Sequence, residues 1–90
     1  MADLYRHASG ATLGGGDRHT MHYDYRGRRW EVPVEREDVY LFYVTKGQTW
    51  TDGTPMTPDD IELAVSVIGE ACAAWRQPCH VSRFDLKDET

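Results

Sequence analysis

The side chains in this 90-residue chain best suited to chemistry are four histidines (His7, His19, His22 and His80) and two cysteines (Cys72 and Cys79). Their spacing limits what they can do. His19 and His22 are three apart in a segment that alternates like a strand, so they point to opposite faces and cannot chelate one metal together. Cys79 and His80 are adjacent and diverge for the same reason. A metal or small-ligand site built from His19, Cys79 and His80 would need the first and last main strands to be neighbours, and zinc usually takes closer ligand pairs. Cys72 falls on an apolar helical face, with no adjacent cation in sequence to lower its pKa. The two cysteines do not form a CxxC pair. Reduced, packed thiols are favoured over a bridge across the helix-to-strand turn. No Gly-x-Ser-x-Gly elbow occurs. Gly14-Gly15-Gly16 lacks the GK[ST] ending and following helix of a phosphate-binding loop. The expectation is a protein with no catalytic constellation, no metal and no cofactor.

Carboxylates and aromatics offer a different use. Asp59 and Asp60 are accounted for by a helix start, and Asp52-Gly53 fits a turn. Glu35, Glu37 and Asp38 read as a solvated connector. Trp50 stands in a polar, turn-rich segment and is the best candidate contact point. Tyr23, Tyr25, Trp30, Tyr40, Phe42 and Tyr43 on three strands would exceed what one helix covers, leaving an aromatic patch open to a partner. Arg28 and Arg29 beside it have the character of hot-spot residues. The expected partner-binding set is therefore Trp50, Asp52, Glu35, Glu37, Asp38, Arg28 and Arg29. The net charge of −5 argues against general binding to a phosphate backbone, which needs a basic face. No stretch approaches the roughly 20 apolar residues of a membrane span. The first residues lack the apolar run of a signal peptide, so the expected compartment is the cytoplasm.

The elements that must position these residues follow from pattern. Residues 1–18 read as a flexible N-terminal arm or short strand, with a glycine-rich hinge. Residues 19–34 read as a β-hairpin closed at Arg26-Gly27. That register puts Tyr23 opposite Trp30, Met21 opposite Val32 and His19 opposite Val34, collecting the apolar residues on one face. Pro33 then marks a sheet edge or an interrupted ladder. Val39–Thr45 is apolar on both faces and predicts an interior strand covered on two sides. Thr57 as N-cap, Pro58 at N1 and two aspartates in the first turn start a long helix that ends before Pro78. Cys79–Phe84 predicts a closing strand, and residues 85–90 a polar tail. The expected fold is α+β: a three- to five-stranded, mainly antiparallel sheet in the order β-β-β-α-β, with an optional extra N-terminal strand and one helix on one face. Residues 19–84 form the domain.

The segment from Trp30 to Phe84 resembles the small immunity proteins of bacterial polymorphic toxin systems. It shares with them a few strands, then W-x-D-G-x-x-[ILM]-[ST] as Trp50-Thr51-Asp52-Gly53-Thr54-Pro55-Met56-Thr57, an amphipathic helix and a final strand. The resemblance implies a non-enzymatic role in binding and neutralising a partner protein. An acidic chain would suit a basic toxin through charge complementarity. The alternatives are a homo-oligomeric structural or regulatory domain, with a homodimer covering the doubly apolar strand, and the metal or small-ligand protein considered above.

Overall fold

The hairpin forms in the register that its side-chain alternation dictates. A computed structural model of the chain describes residues 4–44 and 47–83. Within them lie strands β1 (Tyr5–Arg6), β2 (Thr12–Gly14), β3 (Thr20–Tyr25), β4 (Arg28–Arg36), β5 (Tyr40–Tyr43) and β6 (Cys79–Ser82), with helix α1 (Pro58–Trp75) between β5 and β6. Tyr25 pairs with Arg28, Tyr23 with Trp30 and Met21 with Val32, and the Val34 N–H donates to the His19 carbonyl at 2.9 Å. The two-residue turn places Arg26 at φ 53° and Gly27 at φ 79°, the left-handed pair whose twist matches a hairpin. Met21, Tyr23, Trp30, Val32 and Val34 are buried on one face.

β4 changes neighbours part-way along. Its ladder with β5 covers only Val34, Glu35 and Arg36, paired with Phe42, Leu41 and Tyr40. Pro33 is the residue at which this ladder stops. Its missing N–H lies on the β5 side, as the hairpin register requires. The stretch of β4 before Pro33 is left with an edge that β5 does not pair.

The sheet has six strands in chain order, β1 to β6, rather than the three to five expected. It is also mixed. Four neighbouring pairs are antiparallel, while β5 and β6 run parallel. Parallel neighbours need a crossover of a dozen or more residues, and α1 supplies it. The N-terminal segment is woven into the sheet, with Leu13 paired to Tyr23 and both Ala11 and Leu13 fully buried. The glycine run beside it is clamped. Arg36 donates to the carbonyls of Gly15, Asp17 and Thr20 at 2.7, 3.0 and 3.1 Å. Gly16 has φ +84°, and a Cβ there would meet the Thr20 carbonyl oxygen at 2.2 Å.

The helix starts as its sequence requires. The Thr57 side chain accepts from the Asp60 N–H at 3.0 Å, and Asp60 Oδ2 accepts from the Thr57 N–H at 2.9 Å, a reciprocal capping box. Arg76 in the left-handed conformation closes the other end. Ala64, Val67, Ile68, Ala71 and Cys72 form the buried face. α1 contacts β1, β2 and β6, strands from both ends of the sheet order, so the sheet curls around it. Glu70 meets Tyr5 Oη at 3.4 Å and His7 Nε2 at 3.3 Å on the β1 side. Glu62 receives Arg83 at 3.0 and 3.1 Å on the β6 side. Thr45, Phe84 and the predicted 85–90 tail lie outside the described residues. No helix among the described residues is long and apolar enough to cross a membrane.

Candidate functional site

The Trp50 segment is a small folded-back loop rather than an open one. Thr49 bridges Pro55, the Trp50 N–H donates to the Thr54 carbonyl at 2.9 Å, and the Met56 N–H donates to the Gln48 carbonyl at 2.9 Å. Asp52 Oδ1 caps the turn by accepting from the Thr54 N–H at 2.8 Å. This loop docks on the part of β4 that β5 leaves unpaired. The Thr51 N–H donates to the Arg29 carbonyl at 2.7 Å, and Trp30 Nε1 donates to Gln48 Oε1 at 3.0 Å.

Docking drives Trp50 inward. It is 3% exposed and its ring stacks on Tyr23, with centroids 6.1 Å apart and planes at 18°. Tyr23 in turn meets the edge of Trp30 at 6.2 Å. The expectation of Trp50 as an exposed contact point is corrected: its indole is a core group. Asp52 does stay exposed, 3.7 Å from Arg28. Its carboxyl is held below the usual range by the hydrogen bonds from Thr54, with Arg28 adding to the effect. Arg29 is engaged across the hairpin with Asp24 at 2.8 and 3.3 Å.

Between the hairpin tip, the loop and the helix start lies a cleft of about 330 Å³, lined by Tyr25, Arg26, Arg28, Trp50 and Asp60. The Arg26 guanidinium sits over the Tyr25 ring, 5.2 Å from its centroid. In the core beneath the cleft, Tyr23 Oη and Trp50 Nε1 are buried and have no hydrogen-bond partner among the described residues. Burial pushes the Tyr23 hydroxyl far up from its ordinary pKa, with Tyr25 and Asp60 adding to the shift. The hydroxyl therefore stays protonated at any ordinary pH and lies within electrostatic reach of two cleft walls. The cleft lining thus carries two guanidinium groups, Arg26 and Arg28, against one carboxylate, Asp60.

The expected partner-binding residues do not form one surface. Trp50, Asp52, Arg28 and Arg29 gather at the start of β4. Glu35 lies seven residues further along, roughly 23 Å away at strand rise. There Glu35 and Glu37 share a shallow cavity of about 190 Å³ with Arg18, His19 and Arg36. Asp38 is exposed beside them, its carbonyl accepting from Gln77 Nε2 at 2.9 Å. The juxtaposition of His19, Cys79 and His80 that a metal or small-ligand site would need does not occur, because β4 and β5 separate β3 from β6. Cys72 and Cys79 are both free thiols. Burial, and then the neighbouring Cys79, pushes the Cys72 thiol up to about 12. Tyr25, Arg26 and Asp60 are cleft residues that the sequence reading gave other roles. The Arg26-Gly27 turn was a legible signal for Arg26, whereas nothing in the sequence marks the Tyr23 hydroxyl as unpaired. Comparison with known proteins found no family model, curated protein or solved structure that matches the chain.

Proposed function

We propose that this chain is a small protein-binding module that meets its partner with the end of the fold formed by the hairpin tip and the Trp50 loop. The observation that supports this reading is the composition and shape of that end. Exposed Arg26 and Arg28 and half-buried Tyr25 surround a concave cleft whose inner wall is Trp50, with exposed Arg29 next along the strand. Tyr, Trp and Arg are the residue types that dominate binding energy at interfaces, and they do so in pockets. The segment resembling immunity proteins, Trp50 to Thr57, supplies one wall of this cleft and the helix start beside it. The role we favour is an immunity or inhibitor protein acting in the cytoplasm on a partner such as a toxin, whose acidic groups would meet the arginines of this end and whose basic groups would meet an acidic region elsewhere. Glu35, Glu37 and Asp38 form a second, acidic contact region at the far end of β4.

The test is affinity capture from the source cells with three baits: the native protein, the Arg26→Glu/Arg28→Glu variant and the Glu35→Lys/Glu37→Lys variant. A stoichiometric protein retained by the native bait and lost by the arginine variant is the expected result. The same proteins on all three baits would overturn the assignment of this surface. A second reading, self-association, draws on one observation. Exposed Val39 precedes β5, whose outer face carries half-buried Leu41 and Tyr43 next to β6, and the N-terminal strands lie at the other end of the sheet order. Light scattering at micromolar concentration decides it, a monomer removing this reading.

A further inference from the structure

We propose that Cys72 and Cys79 form a dithiol site that a low-molecular-weight disulfide converts, reversibly, into a bridge between the end of α1 and the start of β6. The site lies in the last turn of α1, whereas the cleft lies at the start of that helix. It therefore stands or falls independently of the partner-binding reading.

Contact, position and access each support it. The two thiols are the only cysteines of the chain, and they are hydrogen-bonded to each other. The segment between them is pinned so that they stay together. Arg76 turns the chain in the left-handed conformation, and the Gln77 N–H donates to the Cys72 carbonyl at 2.9 Å. Gln77 Nε2 donates to the carbonyls of Asp38 and Pro78 at 2.9 and 3.0 Å. The Pro78 carbonyl also accepts from the Tyr40 N–H at 2.9 Å, which seats Cys79 opposite Tyr40 at the start of the parallel ladder. Closing the thiol contact to a bond needs only the sulfurs to approach, which side-chain rotation at half-buried Cys79 can supply. Access is asymmetric. Cys72 is 2% exposed on the buried face of α1, so an incoming reagent meets Cys79 first, with Cys72 behind it. An accessible thiol beside a resolving one is the arrangement of redox-responsive pairs. A buried thiol alone is inert, but one held against a reacting neighbour acts at high effective concentration.

The chemistry is thiol–disulfide exchange, with oxidised glutathione as the model oxidant. Cys79, as its thiolate, attacks one sulfur of the glutathione disulfide. That S–S bond breaks and one glutathione thiolate leaves. Cys72 then attacks the Cys79 sulfur of the mixed disulfide, and the second glutathione leaves. The two protons of the protein thiols end on the two glutathiones. The protein dithiol is oxidised by two electrons and the glutathione disulfide is reduced. Where glutathione keeps thiols reduced, a bridge of this kind is transient and senses redox state.

The test equilibrates the full chain at pH 8 in glutathione mixtures stepped from fully reduced to fully oxidised. Acid quenching, intact mass and peptide mapping give the readout. The native chain should lose the two thiol hydrogens, retain no glutathione, link Cys72 to Cys79 and return to the dithiol in reduced glutathione. Its melting temperature should rise on the order of 10 °C on bridging, because the bridge restricts the unfolded chain. Cys72→Ala should stop at a mixed disulfide on Cys79, and Cys79→Ala should leave Cys72 unmodified while folded. A native chain that stays a dithiol in fully oxidised glutathione, or accumulates a stable glutathione adduct on Cys79, would overturn the proposal. So would a bridge that forms only between chains or only in urea, or a bridged form that melts below the dithiol. These outcomes are read on the native chain and do not depend on either variant folding.

Discussion

Removing the hydroxyl of a fully buried tyrosine ordinarily weakens a protein, but Tyr23→Phe is expected to strengthen this one. The ring is what the core uses. It stacks on Trp50 at 6.1 Å and meets the Trp30 edge at 6.2 Å, and phenylalanine keeps both contacts. Among the described residues the hydroxyl makes no hydrogen bond. Leaving such a group buried costs about 1–3 kcal/mol, whereas a satisfied hydrogen bond contributes only about 1 kcal/mol. The space vacated is smaller than a methyl group, so the cavity cost stays under about 1 kcal/mol. The net expectation is a gain of about 1 kcal/mol, or roughly 4–8 °C in Tm for a domain of this size. Urea unfolding followed by tryptophan fluorescence should show a raised midpoint with an unchanged slope. The pH dependence gives a second check. The folded-state pKa of this hydroxyl is raised by burial, with Tyr25 and Asp60 contributing. The native tyrosine therefore keeps its full contribution below the unfolded pKa of about 10 and loses stability as pH climbs above it, because only the unfolded chain ionises there. The advantage of phenylalanine should widen above about pH 10. A variant less stable than the native protein by 1 kcal/mol or more would refute the reasoning, since it would mean that the hydroxyl is paired in solution.

Other perturbations test the remaining structural assignments. Trp50→Ala should cost about 3–5 kcal/mol, a large share of the roughly 5–15 kcal/mol that holds a small domain together, and be visible as a collapsed urea midpoint. Full retention of stability would return Trp50 to the surface. Gly16→Ala should lower stability by at least about 1–3 kcal/mol, since φ +84° and the 2.2 Å approach to the Thr20 carbonyl both oppose a side chain. Thermal melting of that variant measures it. The Cys72 thiol, pushed up to about 12 by burial and by Cys79, should resist iodoacetamide at pH 8 until urea exposes it, while half-buried Cys79 reacts first. Intact and peptide mass spectrometry give the order of labelling.

The parts of the fold legible in sequence are those where two signals coincide. The hairpin had a turn dipeptide and alternation that agreed on one register. The helix had a cap, a proline, an acidic first turn and a three-four periodicity. β1 and β2 were missed as a pair because strands of two and three residues carry almost no alternation, and the glycine run looked free. What holds that run is Arg36, some twenty residues away in sequence, a contact that no local pattern announces. The parallel pairing of β5 with β6 was readable in principle, since an 18-residue helix joining two strands is a crossover, but an antiparallel start biased the whole sheet. Trp50 was misplaced for a physical reason. Asp52-Gly53 marks a turn correctly, yet a turn that folds back on an unpaired strand edge buries the residue in front of it. The cleft inherits this error, because its inner wall depends on that burial.

The order in which the ribosome supplies these elements has a consequence of its own. β1 to β5 follow one another in the sheet as they do in the chain, so a meander can assemble while synthesis continues. The greasy side of that meander, with Leu13, Met21, Tyr23, Trp30, Val32, Val34 and Phe42, is complete by residue 44, but its lid, the helix, is not complete until Trp75. Until the helix is made, the nascent chain carries a core face with no helix to cover it, which is the condition under which young chains stick to one another. Slowing synthesis between residues 44 and 75 should therefore lower soluble yield more than slowing it anywhere else.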